Sequence, residues 1–158
     1  MMKINKILLI LTLFLLFNCD YQPIYSSKNI EKNNNFTINS IVFSGENKIN
    51  ITLKNKLINY LNLESKKRNY DLNINSSIIR KISSKNAKGD PERFIIIIIF
   101  NIDFLENDKL KSNKKFEEKY EYKNMESKHD LKIYEQEIKN ILVEGISEDL
   151  IKYLNSIE

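Results

Sequence analysis

The chain has one cysteine, one histidine, three glycines and two prolines in 158 residues. A lone cysteine excludes a disulfide bond within the chain. Three scattered glycines cannot form a phosphate-binding loop of the GxGxxG or GxxxxGK type. The cysteine and the histidine, Cys19 and His129, lie far apart in sequence, which argues against a metal site and against a cysteine–histidine catalytic pair. These absences favour a protein that is not an enzyme and has no metal or organic cofactor.

Length and charge narrow the class of protein further. A chain of 158 residues is long enough for one domain with a modest hydrophobic core. The formal net charge is +4, and removing residues 1–18 takes away two lysines and leaves a net charge near +2. Such a small excess does not by itself predict binding to nucleic acid.

Residues 1–18 are typical of a signal peptide. Lys3 and Lys6 form a positively charged start, and the 11 residues from 7 to 17 are apolar except for Thr12. A run of this length matches the apolar region of a secretory signal, whereas a membrane-spanning helix needs roughly 20 residues. The alternatives are an uncleaved anchor and a buried core helix.

Cys19 directly follows this apolar run. The sequence Leu16-Phe17-Asn18-Cys19 resembles the lipobox of bacterial lipoproteins, although Phe17 and Asn18 stand where the motif prefers small residues. In such proteins the chain is cut before the cysteine, which receives a diacylglycerol and an N-acyl chain. Each buried CH₂ group contributes roughly 0.8 kcal/mol, so three chains would anchor the protein to a membrane. We therefore predict lipidation at Cys19, export to the periplasm and a flexible tether over residues 19–35.

The rest of the chain, residues 36–158, is predicted to form a single α+β domain. Hydrophobic periodicity predicts strands and helices in the order strand-helix-strand-strand-strand-helix. Gly45 is predicted to end the first strand, with Phe36, Ile38 and Val42 on one face, and an asparagine at 47 or 50 to cap the first helix. A charged loop is predicted at 64–69 and a charged hairpin loop at 106–115. The predicted elements are strands at 36–44, 70–82, 93–105 and 116–124, and helices at 50–63 and 128–155.

The third strand is apolar on both faces over its first half. Ile96 and Ile98 alternate with Ile95, Ile97 and Ile99. One interpretation is a central strand covered on both sides, or a codon bias towards isoleucine. The other is that Ile95, Ile97 and Ile99 form a surface that is buried against another protein.

The last helix carries an apolar stripe with a spacing of four residues. It is formed by Ile138, Leu142, Ile146, Leu150 and Leu154. Gly145 interrupts this helix, which predicts a close approach to the sheet or to the other helix. Because strands two to four are joined by short connections, they should form an antiparallel meander, and both helices should cover one face of a four-stranded sheet. The predicted fold is a two-layer α+β sandwich.

The order of these elements, together with the start Cys-Asp-Tyr-Gln-Pro-Ile-Tyr, resembles the LptE family of lipopolysaccharide-assembly lipoproteins in its alphaproteobacterial form. Cys19, Tyr21, Pro23 and Tyr25 match the family's mature N-terminus, with Asp20 in place of glycine and Ile24 in place of leucine. The segments LKNKLINYL, YDLNINSS, ERFIIIIIFNIDF and KYEYKN are similar to family segments in the same order. The resemblance extends over essentially the whole chain.

The resemblance implies a role without catalysis. Members of the family plug the lumen of the LptD-type outer-membrane β-barrel, assist its folding and help deliver lipopolysaccharide to the cell surface. It suggests that cations around the turn between the second and third strands meet lipid A phosphates. The alternative is a solvated hairpin whose charges guard the isoleucine run against aggregation. These cations are Arg80, Lys81, Lys85, Lys88 and Arg93.

Two other interpretations remain open at this point. Asp20 follows the predicted lipidated cysteine, and in enteric bacteria this residue favours retention in the inner membrane, so an inner-membrane lipoprotein with a different partner is possible. An RNA-binding α+β domain would instead need exposed aromatic residues on the sheet, for which Tyr120 and Tyr122 are the candidates. The export signal argues against RNA, and no nucleic acid partner is predicted.

Overall fold

A computed structural model describes residues 35–63 and 68–157 of the protein. The predicted signal peptide, Cys19 and almost all of the predicted tether lie outside the described residues, as does most of the predicted loop at 64–69. The elements are β1 (Phe36–Gly45), α1 (Asn47–Leu57), a 3₁₀ turn (Ile58–Tyr60), β2 (Arg68–Lys85), β3 (Pro91–Glu106), β4 (Lys109–Lys123) and α2 (Lys128–Ser156). The predicted order of elements is confirmed.

The strands form one sheet in the order β1-β2-β3-β4. β1 runs parallel to β2, and β2, β3 and β4 form the predicted antiparallel meander. Because parallel neighbours need a crossover connection, α1 links β1 to β2. Buried side chains from all four strands and both helices form one hydrophobic core between the sheet and the helices. This arrangement is the predicted two-layer α+β sandwich.

β1 contains a bulge that the sequence pattern did not reveal. Its register against β2 shifts between Ile38 and Ser40, so the side chains that face the core change from even to odd numbers. Ile38 is buried, whereas Ile41 packs against the core and Val42 is 61% exposed. The predicted alignment of Val42 with Phe36 and Ile38 is therefore wrong.

The first helix is shifted towards the N-terminus relative to the prediction. α1 begins at Asn47 and ends at Leu57, and Glu46 occupies the N-cap without a side-chain hydrogen bond. The predicted asparagine cap is wrong, since Asn47 lies inside the helix and the buried Asn50 donates to the carbonyl of Ser44 at 3.1 Å. Leu61, beyond the 3₁₀ turn, forms an isolated parallel bridge with Ile38.

Gly45 ends β1 as predicted and has a definite steric reason to be glycine. Its φ is +86°, and a Cβ there would lie 2.0 Å from the carbonyl oxygen of Ser76. The glycine thus allows the chain to leave β1 and enter α1 directly beside β2.

The turn between β3 and β4 is much shorter than predicted. Asn107 and Asp108 both have positive φ, at 52° and 61°, which is typical of a two-residue type I′ hairpin. β4 therefore begins at Lys109, and the predicted charged loop is mostly strand. Asparagine and aspartate tolerate the left-handed region, so the turn forms without glycine.

α2 matches its prediction closely. Ser127 caps it by accepting a hydrogen bond from the amide of Asp130 at 3.3 Å, and all five residues of the predicted apolar stripe are buried. The expected close approach at Gly145 is wrong, because a Cβ there would meet nothing within 4 Å. Among the described residues no helix is sufficiently long and apolar to span a membrane.

Candidate functional site on the uncovered sheet face

The face of the sheet that α1 and α2 leave uncovered, among the residues the structure describes, carries an apolar strip. On β3 the even-numbered side chains from Phe94 to Phe104 point into the core, so the odd-numbered ones point to the opposite face. Ile95, Ile97 and Ile99 lie on that uncovered face and are half-buried. Ile79 of β2 stands beside Ile97 in the register and widens the strip. We call Ile79, Ile95, Ile97 and Ile99 the isoleucine strip.

The isoleucine strip occupies one part of the uncovered face. Towards the other end of β3 the same face becomes polar at Asn101 and Asp103, and Asp103 accepts a hydrogen bond from the side chain of Asn113. On β2 the corresponding residues are Asn73 and Asn75. The isoleucine strip therefore lies in the half of the meander near the β2–β3 turn.

Charged side chains of β4 border the strip. Glu117 and Glu121 stand beside Ile99 and Ile95 in the register. Lys115 forms an ion pair with Glu117, and its hydrogen bond lowers the pKa of that carboxyl. Hydrogen bonds from Ser83, and secondarily from Arg93 at 3.2 Å, lower the pKa of Glu121. An apolar centre bordered by charge is typical of a protein-binding surface.

Arg80 does not lie on this face. Its Nε donates to Oε1 of Glu135 in α2 at 2.8 Å, and its guanidinium stacks on Phe94 at 3.7 Å from the ring centre. The Tyr122 hydroxyl donates to the same carboxylate oxygen at 2.6 Å. Burial, together with this hydrogen bond, raises the pKa of Tyr122 to about 12. This group joins the meander to α2.

The other predicted cations are spread over the uncovered face and the β2–β3 turn. Lys81 stands beside Ile95 in the register, and Arg93 is paired with Glu121. Lys85 stands opposite Pro91, and Lys88 lies in the turn, where its amide donates to Oδ1 of Asn86 at 2.9 Å. Lys81, Lys85 and Lys88 form no ion pair among the described residues. The five cations thus do not converge on one point.

The sequence missed three residues of this region. Ile79 is the β2 member of the strip. Its only signal in the sequence was the adjacent pair Ile78-Ile79, because two consecutive isoleucines place an apolar side chain on each face of the strand, as in β3. Glu135 had no signal, and Tyr122 was considered only as an exposed aromatic residue, because their interaction with Arg80 joins residues that are distant in sequence.

The aromatic platform that an RNA-binding domain would need is not formed by the predicted pair. Tyr120 and Tyr122 stand beside Ile96 and Phe94 in the register and therefore lie on the helix-covered side of the sheet. Tyr122 is only 2% exposed. His129 is exposed at the start of α2, and the described residues contain no group of acidic, histidine or cysteine side chains suited to a metal ion.

Comparison with solved structures places the fold among bacterial lipoproteins. Rare lipoprotein B from Shewanella oneidensis has a TM-score of 0.52 at 13% identity, covering 73% of this chain and 96% of its own. A minor lipoprotein from Acinetobacter baumannii has a TM-score of 0.57 at 11% identity, covering 76% of this chain and 91% of its own.

A lipoprotein from Caulobacter crescentus CB15 has a TM-score of 0.54 at 12% identity, covering 83% of this chain and 96% of its own. At these identities the likeness shows a shared fold. No family model matches the chain, and no curated protein does.

Proposed function

We propose that this chain is an envelope lipoprotein of the rare lipoprotein B (LptE) type, anchored through Cys19, that acts without catalysis as part of the outer-membrane lipopolysaccharide translocon. The observation that carries the proposal is that a domain sharing the fold of several bacterial lipoproteins follows a signal-peptide pattern that ends in the only cysteine. In this role the domain plugs an LptD-type β-barrel, assists its assembly and helps to pass lipopolysaccharide to the cell surface.

The isoleucine strip is the proposed contact with the barrel. Ile95, Ile97 and Ile99 are half-buried in the isolated chain, so a partner would remove further apolar area from water at roughly 25 cal/mol per Å². The paired charges along β4 would then form a polar rim around this contact.

The lysines near the β2–β3 turn are the proposed contacts with lipopolysaccharide phosphates. Lys81, Lys85 and Lys88 have no carboxylate partner among the described residues, whereas Arg80 and Arg93 already neutralise Glu135 and Glu121. A phosphate could therefore bind any one of these lysines without displacing an existing ion pair. We narrow the predicted set of five cations to these three.

The second candidate is a lipoprotein retained in the inner membrane that binds another partner. It rests on Asp20, the residue after the proposed lipidation site. Fractionation of membranes from the native host separates the two, because only the first candidate requires the protein in the outer membrane.

The test is affinity purification of the tagged chain from its own host in detergent, followed by mass spectrometry. We expect a stoichiometric outer-membrane β-barrel with the parent chain, and its loss from Ile97→Glu. Val42→Glu is the matched control, because Val42 is 61% exposed and lies on the same face outside the strip. If no barrel is recovered and the protein is found in the inner membrane, the translocon role is wrong. Retention of the barrel by Ile97→Glu would remove the strip from the interface.

The lipid anchor has its own test. Cys19→Ser should release the protein from membranes, because the thiol that receives the diacylglycerol is gone. Mass spectrometry of the parent should show a chain that starts at Cys19 and carries acyl groups. A Cys19→Ser protein that stays on membranes with the mature mass of the parent would contradict lipidation.

A further inference from the structure

β2 continues well beyond the end of its neighbour β1. The pairing of β1 with β2 ends where Gly45 meets Ser76, while β2 runs on to Lys85. Within the described residues no strand pairs with this outer edge of β2. The sheet therefore has a notch beside residues 77–85, bounded at one end by the start of α1.

The direction of the backbone groups in the notch follows from one hydrogen bond. The amide of Glu46 donates to the carbonyl oxygen of Ser76 at 3.4 Å, so Ser76 faces the β1 side. Backbone N–H and C=O groups alternate in direction from one residue of a strand to the next. The N–H and C=O groups of Ile78, Arg80 and Ile82 therefore also point away from β3, as those of Ser76 do. The described residues supply no hydrogen-bond partner to the backbone of these three.

We propose that this notch binds an extended segment of a partner protein as an added strand, and that the segment carries acidic side chains. Unpaired N–H and C=O groups of an edge recognise a strand through its main chain. Residues 77–88 contain no acidic residue, and three of their four cations, Lys81, Lys85 and Lys88, form no ion pair among the described residues, which selects for negative charge. Ile79, on the uncovered face, favours an apolar partner residue at that position. This inference rests on the sheet topology and not on the proposed function.

A second copy of this chain fits the notch poorly. Pairing two such edges brings two sets of cations, including Lys81 and Lys85, close together, and like charges on neighbouring strands are destabilising. The other long edge, β4, is protected differently. Six lysines and three glutamates are spread along β4, and charged side chains on an edge strand hinder pairing with another strand. The notch, in contrast, also carries the apolar residues Ile78, Ile79 and Ile82.

The first experiment measures amide hydrogen exchange on the full chain in detergent. The probe is a synthetic peptide of about eight residues that alternates valine and glutamate. We expect fast exchange at Ile78, Arg80 and Ile82 in the free protein. At about 1 mM acidic peptide those three amides should become protected, while a valine–lysine peptide should have no effect.

Four outcomes would overturn the proposal. Protection of these amides in the free protein would mean that the edge is already covered. An unchanged exchange rate with the acidic peptide would mean that no strand is added, and equal protection by the lysine peptide would refute the acidic partner. If sedimentation shows a dimer that protects the same amides, the occupant is a second copy and the proposal fails.

A pair of variants tests the backbone contact directly. Ile82→Pro removes an N–H that points outward, whereas Ile82→Thr removes the same side chain and keeps the N–H. Ile82 is 47% exposed, so both variants should keep the circular dichroism spectrum of the parent. We expect Ile82→Pro to weaken binding of the acidic peptide by at least about fivefold relative to Ile82→Thr. Equal binding by the two would contradict an added strand, and if Ile82→Pro does not fold, the protection pattern of the parent decides.

Discussion

Gly145 lies in the middle of α2, and a Cβ placed there would have nothing within 4 Å. Glycine in a helix interior costs about 1 kcal/mol relative to alanine, because its unfolded backbone has more freedom. We expect Gly145→Ala to raise the free energy of unfolding by about 1 kcal/mol in urea denaturation. Gly45→Ala is the control, since positive φ and the carbonyl of Ser76 exclude a Cβ there, and it should destabilise the protein by at least about 2 kcal/mol. A destabilised Gly145→Ala would show that the helix meets a neighbour at this point.

Two buried tyrosines differ in whether their hydroxyls form a hydrogen bond to the described residues. The Tyr70 hydroxyl is fully buried without a hydrogen bond to the described residues, whereas the Tyr122 hydroxyl donates to Glu135. Removing an unpaired buried hydroxyl is nearly neutral, but removing a donor to a carboxylate costs roughly 1.5 kcal/mol or more. We expect Tyr70→Phe to unfold at the parent's urea concentration or above, and Tyr122→Phe clearly below it. Equal losses in the two variants would contradict this assignment.

The pKa of Tyr122 also gives the protein a dependence on alkaline pH. Burial and the bond to Glu135 raise this pKa from 10.0 to about 12, so the folded state holds the proton more tightly than the unfolded chain. The resulting stability is complete below pH 10 and is lost as the pH rises through about 12. We expect the midpoint of thermal unfolding to fall over this interval, and Tyr122→Phe to flatten the fall. Tyr70, whose pKa burial also raises, contributes in the same direction and remains in that variant.

At the scale of elements, Arg80 and Glu135 join β2 to α2 across the helix-covered side of the sheet. Glu135 is 14% exposed on its side chain and accepts from both Arg80 and Tyr122. A double-mutant cycle with Arg80→Met and Glu135→Gln should give a coupling energy of about 1 kcal/mol, since exposed pairs give less and this carboxylate is largely shielded. The pair Lys152–Asp149 is the control, because both side chains are more than half exposed and should couple weakly. Equal coupling in the two pairs would show that Arg80 does not join the layers.

Sequence periodicity predicted the elements whose buried side chains follow one regular spacing. The stripe of α2 and the even-numbered residues of β3 are of this kind. The bulge after Ile38 and the turn at Asn107-Asp108 were not predicted. Each depends on the backbone conformation of one or two residues, and the pattern of apolar and polar residues does not show that conformation. The predicted start of α1 lies too far towards the C-terminus for a similar reason. The close approach of Gly45 to Ser76 determines where the chain leaves β1 and enters the helix.

For the molecule as a whole, one core unites all the elements. Its buried members come from four strands and both helices. A single core of this kind favours unfolding in one cooperative step. We expect urea unfolding followed by circular dichroism and by tyrosine fluorescence to give coincident transitions. Two separate midpoints would mean that the β2–β3 end of the sheet, which extends beyond β1, unfolds on its own.

In the candidate site, too, features set by the pattern within one strand were predicted, whereas features set by contacts between distant residues were not. The β3 members of the isoleucine strip were predicted because successive side chains of a strand point to opposite faces and β3 is apolar at both even and odd positions. The splitting of the five cations was not predicted, because whether a residue of β2 faces α2 or the open side depends on register and on the partners it finds there. Arg80 finds Glu135, which lies 55 residues away in sequence.

The two ends of the described chain meet at one end of the sheet. The amide of Asn35 donates to Oδ1 of Asn155 at 3.1 Å, beside the point where Phe36 pairs with Arg68. From there β2 extends over 18 residues to Lys85, a distance of roughly 55 Å at 3.3 Å per residue. The predicted tether would join the domain at Asn35 and hold it by one end, with the β2–β3 turn at the opposite end of the sheet. Lys88 in that turn would then lie far from the point of attachment, at a distance set by the length of β2.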